Sequence, residues 1–548
     1  MTTPAGQDNG HPQVSRVAAG VVTGLAVLIV WFGLTAPNRV SSITPSAFAR
    51  IPLEALVVIL VLVLPSRARD VTAFLLGGVL GLLTVFKLLD MGFLEALGRP
   101  FDAVIDWRYL GSAVDLLDDS VGRSLAVVLL VAATLLVVAV VVVMPLSVVR
   151  LTRIASRHRA GSVRGVTAVA LVWLLCAVLG VHLVQGAPVA SVSTAEYAYG
   201  QVRNIPAEIR DQREFATAVA DDPLRDVPAE RLLTRLRGKD VIVAFVESYG
   251  RVAVQDSAFS PGVDAVLDAG THRLRAAGFS ARSAFLTSPT FGAVSWLAHA
   301  TLHSGLWVDS QQRYDVLVDS DRFTLSDAFR RAGWRTVGAV PANTHDWPQA
   351  ASFYHYDQLY DSRNVGYAGP KFGYASMPDQ YTLSALQRLE LSKRDRAPVM
   401  AEVDLISSHA PWAPLPHLVA WPRVGDGSVF DSMPARGQAA DVVWRDPRRV
   451  QAAYGQSIEY TLSALVAFVQ RYADDDLVLI LLGDHQPATI VSGEDAGRDV
   501  PITVIAHDPA VLDRISAWGW QHGMNPGSDA PVWRMDAFRD RFLAAFGP

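Results

Sequence analysis

The sequence predicts a two-part architecture. An amino-terminal bundle of five membrane-spanning helices precedes an α/β domain whose mostly parallel sheet is covered by helices on both faces. Three observations carry this prediction. Apolar residues crowd into five runs before residue 187, whereas the remainder alternates strand-like and helix-like segments. The strand-like segments at 241–246 and 477–482 are apolar throughout, the pattern of strands buried on both faces of a parallel sheet. Acids and imidazoles follow several strands directly, at the carboxyl ends where open α/β sheets bind ligands.

Composition narrows the class. The chain has 548 residues, 51% of them hydrophobic and 18% charged, so apolar content is spread unevenly. A net charge of -5 argues against a nucleic-acid footprint, and no nucleic-acid partner is expected. Cys176 is the sole cysteine, which excludes an intrachain disulfide framework and a cysteine-based zinc site.

The apolar runs lie at about 17–36, 51–65, 71–92, 124–148 and 165–186. Four approach or exceed the roughly 20 residues that span hydrocarbon, and 51–65 is short. The first is too long for a cleaved signal peptide and is followed by further spans. Arg67 and Arg69 follow the second run, and Arg150, Arg153, Arg157, Arg159 and Arg164 follow the fourth. Positive charge marks those loops as cytoplasmic, placing the amino terminus inside and everything after the fifth run outside. The connector 93–122 is read as an amphipathic surface segment. Glu54 and Lys87 are expected to snorkel toward the interface. The organisation is thus a cytoplasmic tail at 1–16, a membrane domain at 17–186, a polar linker at 187–236 and an extracytoplasmic domain at 237–548.

In the outer domain, a buried strand ends at Glu247, which serves either as a helix cap or as a metal ligand. A Ser/Thr-rich loop with Pro289, Thr290 and Gly292 then enters a helix at about 295–304, stopped by Gly305. Ser295 sits at that helix start, where free amides favour an anionic oxygen, or else it acts as an ordinary cap. His299 lies one turn on, on the same face. Residues 321–340 read as a helix followed by a strand, with His345, Asp346 and Trp347 in the next loop. A helix at 378–391 leads to a strand at 398–406 and then to His409. A Pro- and Trp-rich excursion at 411–447 reads as a lid or substrate-side loop. The helix at 449–472 precedes the strand that ends in Gly483, Asp484 and His485. That acid–imidazole pair offers oxygen and nitrogen ligation suited to Zn or Mn. One more strand, 500–506, ends at His507, read as an exposed loop histidine rather than part of a second metal site.

Glu247 after the first strand, a hydroxyl at a helix start, His409 after a late strand and then Gly483, Asp484 and His485 together resemble the alkaline phosphatase/sulfatase superfamily. Within it, the chain looks most like the membrane-bound lipoteichoic acid synthase and phosphoethanolamine transferase enzymes, and the likeness covers nearly the whole chain. The resemblance implies one divalent metal ion (Mn, Zn or Mg) held by Glu247, Asp484, His485 and the nucleophile's oxygen. It implies that His409 contacts the substrate phosphate, and that His345, Asp346 and Trp347 occupy a substrate-contact segment. The nucleophile is read as Ser295, with Thr290 as the alternative, because related transferases carry Thr. His299 falls where sulfatases place a basic residue, and His299 and His409 are candidates for charge stabilisation or proton transfer. Two departures stand out. The sulfatase signature, x-Pro-x-Arg after the nucleophile, is absent, and the Asp-Asp pair that opens ordinary sulfatases is replaced by Glu247 alone.

The resemblance therefore implies a membrane-bound, metal-dependent transferase that moves a phosphoryl-linked headgroup, such as phosphoglycerol or phosphoethanolamine, through a phospho-Ser/Thr intermediate. A membrane lipid or lipid-linked glycan is the expected substrate. The alternatives are a phosphodiesterase or phosphatase with water as acceptor, and a non-catalytic envelope scaffold.

Overall fold

A computed structural model of the chain describes residues 12–57, 61–62, 64–102, 106–109, 123–184 and 187–547. The chain divides into two compact units, one built mainly from residues before 211 and the other mainly from those after.

In the first unit, four helices are long and apolar enough to cross a membrane: α1 (Pro12–Thr35), α2 (Ser66–Leu97), α3 (Arg123–Arg157) and α4 (Arg159–Leu179). This corrects the expected count of five, as far as the described residues go. Within the run 51–65, a short strand Ile51–Pro52 and a 3-10 turn Leu53–Leu56 stand where a helix was expected. Residues 58–60 and 63 lie outside the described residues. So do most of the connector read as amphipathic, part of the tail read as cytoplasmic, and the end of the fifth run. α4 buries none of its residues, and Leu171, Leu175 and Val178 stand exposed, an outward apolar face suited to lipid. Lys87 does not snorkel. It is buried in α2, where its Nζ donates to Thr194 Oγ1 at 2.9 Å and to Gly33 O at 3.3 Å. Hydrogen-bonding an ammonium inside the bundle satisfies it where the side chain cannot reach water.

The second unit is built around central strands that are buried on both faces. In β1 (Asp240–Val246) every residue is buried. Ile242, Ala244 and Val246 enter one apolar core, whereas Val241, Val243 and Phe245 enter another. A strand with helices on both sides must be apolar at both parities, which explains the uninterrupted run. The remaining strands are β2 (Ser280–Thr287), β3 (Arg335–Ala339), β4 (Gln358–Tyr360), β5 (Val399–Leu405), β6 (Leu477–Gly483), β7 (Asp499–Ala506), β8 (Gln521–His522) and β9 (Val532–Arg534). They form a nine-stranded sheet in the order β8-β2-β7-β6-β1-β5-β3-β4, with β9 also paired to β2.

The block β6-β1-β5-β3-β4 is parallel. β7 runs antiparallel to both β6 and β2, so the sheet is mixed rather than mostly parallel across its whole width. Helices cover both faces. α6 (Ser260–Ala276), α9 (Asp379–Leu386) and α10 (Pro447–Tyr472) line one core, and α7 (Ser295–Ser304), α8 (Leu325–Arg331) and α11 (Phe538–Phe546) line the other. The segment read as a linker contains α5 (Ser193–Ala220). The excursion after β5 packs on its own small core, where Val424, Phe430 and Met433 meet Met377 and Tyr381.

Register positions the site. Gly483 pairs with Val246, and Val246 with Leu405, so β6, β1 and β5 end side by side. Whatever follows these three strands shares one edge of the sheet.

Candidate functional site

Glu247, Asp484 and His485 each offer a donor atom within 4.8 Å of the others. Close approach of two strand ends makes this possible. A Cβ on Gly483 would lie 1.9 Å from the carbonyl oxygen of Tyr249, so only glycine fits where β6 runs out beside the turn after β1. Asp484 Oδ1 accepts the backbone amides of Ser248 at 2.8 Å and His485 at 2.7 Å. Its second oxygen faces His485 Nε2 at 3.5 Å. His485 Nδ1 lies 2.8 Å from the carbonyl of Gln486, the partner that keeps the proton on Nδ1 and leaves Nε2 free to ligate. Two hydroxyls fix the backbone behind the ligands: Ser408 Oγ donates to Glu247 O at 2.6 Å, and Ser288 Oγ to Asp484 O at 2.5 Å.

Ser295 joins this group. Its Oγ donates to Glu247 Oε2 at 3.0 Å and lies 3.2 Å from His485 Nε2. The residue capping α7 is Val294, in the left-handed region at φ 62, and it supplies no side-chain cap. Ser295 is therefore the first residue of the helix rather than its cap. Thr290 points elsewhere: its Oγ1 donates to Ala293 O at 2.7 Å, closing its own loop.

His409 follows β5 on the same sheet edge, near enough for its charge to act on Glu247. Its Nδ1 is engaged by the carbonyl of Ala410 at 2.6 Å, and its ring stacks on Tyr374 at 3.7 Å between centroids. Burial penalises the charge of Glu247, but the imidazoles of His409 and His485 outweigh that penalty and hold its carboxyl down at about 2. Asp484 moves the other way, raised to about 6 by burial and by the neighbouring charge of Glu247.

His299 is drawn to a second cluster. Its Nδ1 lies 2.9 Å from Glu402 Oε1 and 3.6 Å from Asp404 Oδ1, and its ring stacks on Phe245 at 3.8 Å. Burial opposes its protonation, yet Asp404 and Glu402 lift its pKa to about 9. Asp404 is pushed up to about 8, chiefly by burial. Glu402 is held well below the usual range: burial works against it, but His303 and His299 prevail. The sequence reading missed Glu402 and Asp404. The available signal was two acids at period two inside an otherwise apolar buried strand, since i and i+2 share a face.

The loop after β3 opens on the same sheet edge, because β3 is parallel to β5. Its residues nonetheless engage other groups. His345 Nδ1 meets Thr344 Oγ1 at 2.9 Å, Asp346 accepts from Arg363 at 2.8 Å, and Trp347 packs on Tyr354 at 5.2 Å. His507 lies beyond the carboxyl end of β7, beside the start of β6, because the two strands run in opposite directions. It stacks edge-on against Phe279 and pairs with Asp475 at 3.3 Å, at the edge remote from the cluster.

The donor set fits a divalent ion: two carboxylates, an imidazole with a free nitrogen, and a hydroxyl in contact with two of them.

No family profile matches the chain, and no curated protein matches it. Among solved structures, it is similar to the lipoteichoic acid synthase LtaP from Listeria monocytogenes, at 15% identity over 62% of this chain and 78% of that one, with a TM-score of 0.38. It is similar to a protein in the alkaline phosphatase superfamily from Vibrio parahaemolyticus, at 16% identity over 62% and 75%, with a TM-score of 0.37. A third likeness is the Streptococcus pyogenes phosphoglycerol transferase GacH in complex with sn-glycerol-1-phosphate, at 12% identity over 63% and 91%, with a TM-score of 0.35.

Proposed function

We propose that the protein is a membrane-bound, metal-dependent transferase that moves a phosphoryl-linked lipid headgroup, such as phosphoglycerol or phosphoethanolamine, to a cell-envelope acceptor. One observation carries this reading: Ser295 Oγ lies in hydrogen-bond contact with both Glu247 and His485, inside a cluster built to hold a cation.

Glu247, Asp484, His485 and Ser295 Oγ would hold one divalent ion (Mn, Zn or Mg), which supplies Lewis-acid charge at the hydroxyl and at the phosphoryl oxygens. Ser295 Oγ then bonds to phosphorus and passes its proton to Glu247 Oε2, its hydrogen-bond acceptor, while the bond from phosphorus to the lipid alcohol breaks; the proton returns to Oγ when Ser295 leaves phosphorus. The positive end of the α7 dipole, at Ser295, favours the oxygens of an incoming phosphate. His409, with Nδ1 engaged by a carbonyl, handles protons at Nε2, protonating the departing alcohol and then deprotonating the acceptor hydroxyl. The acceptor oxygen displaces Ser295 from phosphorus and closes the cycle. A lipid donor suits a chain with four membrane-length apolar helices among its described residues. The second unit is assigned to the outside of the cell membrane, following the arginine-rich loops.

The test uses the full chain in detergent with a lipid donor labelled in its phosphate. Peptide mass spectrometry should find phosphate on Ser295 with the headgroup attached, and release of a diacylglycerol-like alcohol should accompany it. Label on Thr290 would overturn the nucleophile. Label on no residue, with or without added acceptor, would overturn the covalent route. Equal turnover with water alone would favour a phosphodiesterase.

A further inference from the structure

A second cluster that shares no residue with the first is built like a ligand shell. His299 on α7 and Glu402 and Asp404 on β5 each contribute a donor atom within 4.8 Å of the others. Glu402 is held from behind: Tyr356 Oη donates to its Oε2 at 2.7 Å, and His303 Nε2 meets the same oxygen. Its other oxygen is thereby turned toward His299 and Asp404. Such outer partners are what orient a ligating carboxylate.

Asp404 has no comparable support. Its Oδ1 is buried and accepts no hydrogen bond, and its one contact is the ion-pair approach of His299 at 3.6 Å. This buried carboxylate oxygen has no hydrogen-bond donor and shares its positive neighbour, His299, with a second carboxylate that holds it closer. The imidazole cannot serve both acids fully, because Nδ1 is closer to Glu402. A divalent cation among the three would engage Asp404 and relieve the repulsion between the two carboxylates.

We infer that His299, Glu402 and Asp404 form a second divalent-cation site, separate from the Glu247 cluster. One imidazole nitrogen and two carboxylate oxygens suit Zn or Mn. Side-chain exposure is 11% at His299, 15% at Asp404 and 1% at Glu402, so an ion enters past the first two. Because α7 carries both Ser295 and His299, an ion there also braces the helix that begins with the nucleophile.

The experiment counts metal on the full chain in detergent, stripped with chelator, reloaded with Zn or Mn alone and measured by elemental mass spectrometry. The wild type should hold two ions, D404N one, and the double variant E247Q/D484N one. The double variant isolates the second cluster, so the result does not depend on D404N folding well. A double variant that holds no ion, or a D404N protein that matches the wild type, overturns the second site. A wild type and a double variant that each hold one ion leave the second site standing and remove the first, so the two assignments fail separately.

Discussion

Two hydroxyls compete for one role, and their surroundings separate them. Ser295 Oγ touches Glu247 and His485, whereas Thr290 Oγ1 is spent on Ala293 O three residues on. Replacing Ser295 with alanine should lower turnover by at least roughly 1,000-fold, the scale of removing a nucleophile. Thr290→Ala should keep turnover within roughly threefold and lose about 1 kcal/mol of stability, one loop hydrogen bond. Steady-state rates with melting curves on both variants check this, and a T290A protein as inactive as S295A would reverse the assignment. In the sequence, both residues were hydroxyls near a helix start. Only the backbone turn at Val294 decides which of them faces the acids.

At the scale of elements, the edge that holds the site depends on ties between neighbouring segments. Asp379 begins α9 and accepts the backbone amide of Ser407 at 3.0 Å and the hydroxyl of Thr461, on α10, at 2.5 Å. It thereby joins the end of β5 to two helices just upstream of His409. Burial raises its carboxyl to about 6 against those hydrogen bonds. The folded state therefore holds the proton more tightly than the unfolded chain, and the associated stability is present below about pH 4. That stability is lost as pH climbs through 6. Asp379→Asn keeps the shape and removes the titration. Relative to D379N, the wild type should lose on the order of 2–3 kcal/mol between pH 4 and pH 7. Urea unfolding of both proteins across that range tests it, and parallel pH profiles would refute it. The elements themselves were legible: β1, α7, β5, α10 and β6 fall close to where periodicity, Gly305 and Gly483 put them. β2 carries no such signal, because Ser280, Arg282, Ser283 and Thr287 break the apolar run.

For the whole molecule, membrane topology is the open physical question that the arginine pattern answers by rule. The described residues hold four membrane-length helices, an even number, whereas the proposed inner amino terminus and outer catalytic unit call for an odd number of crossings, the fifth falling to the run 51–65. In a Cys176→Ser background, a membrane-impermeant maleimide applied to intact cells should label S528C, on the exposed surface of the second unit, and leave A160C, in the first turn of α4, unlabelled until the cells are opened. Labelling of A160C in intact cells would invert the orientation.

The sequence by itself determined which segments are apolar at both parities, where helices stop, and that an acid, a hydroxyl and an acid–imidazole pair follow such elements. Those are local properties, written in side-chain type and spacing. Tertiary structure alone decided which strand ends meet. Register puts Gly483 beside Val246 and Val246 beside Leu405, so residues 236 positions apart in the chain share a hydrogen bond, as Ser248 and Asp484 do. Strand direction decided the fate of the histidines: His409 follows a parallel strand and shares the cluster's edge of the sheet, whereas His507 follows an antiparallel one and ends at the opposite edge. Pairing direction depends on partners far away in the chain, and the same apolar run serves either direction equally well.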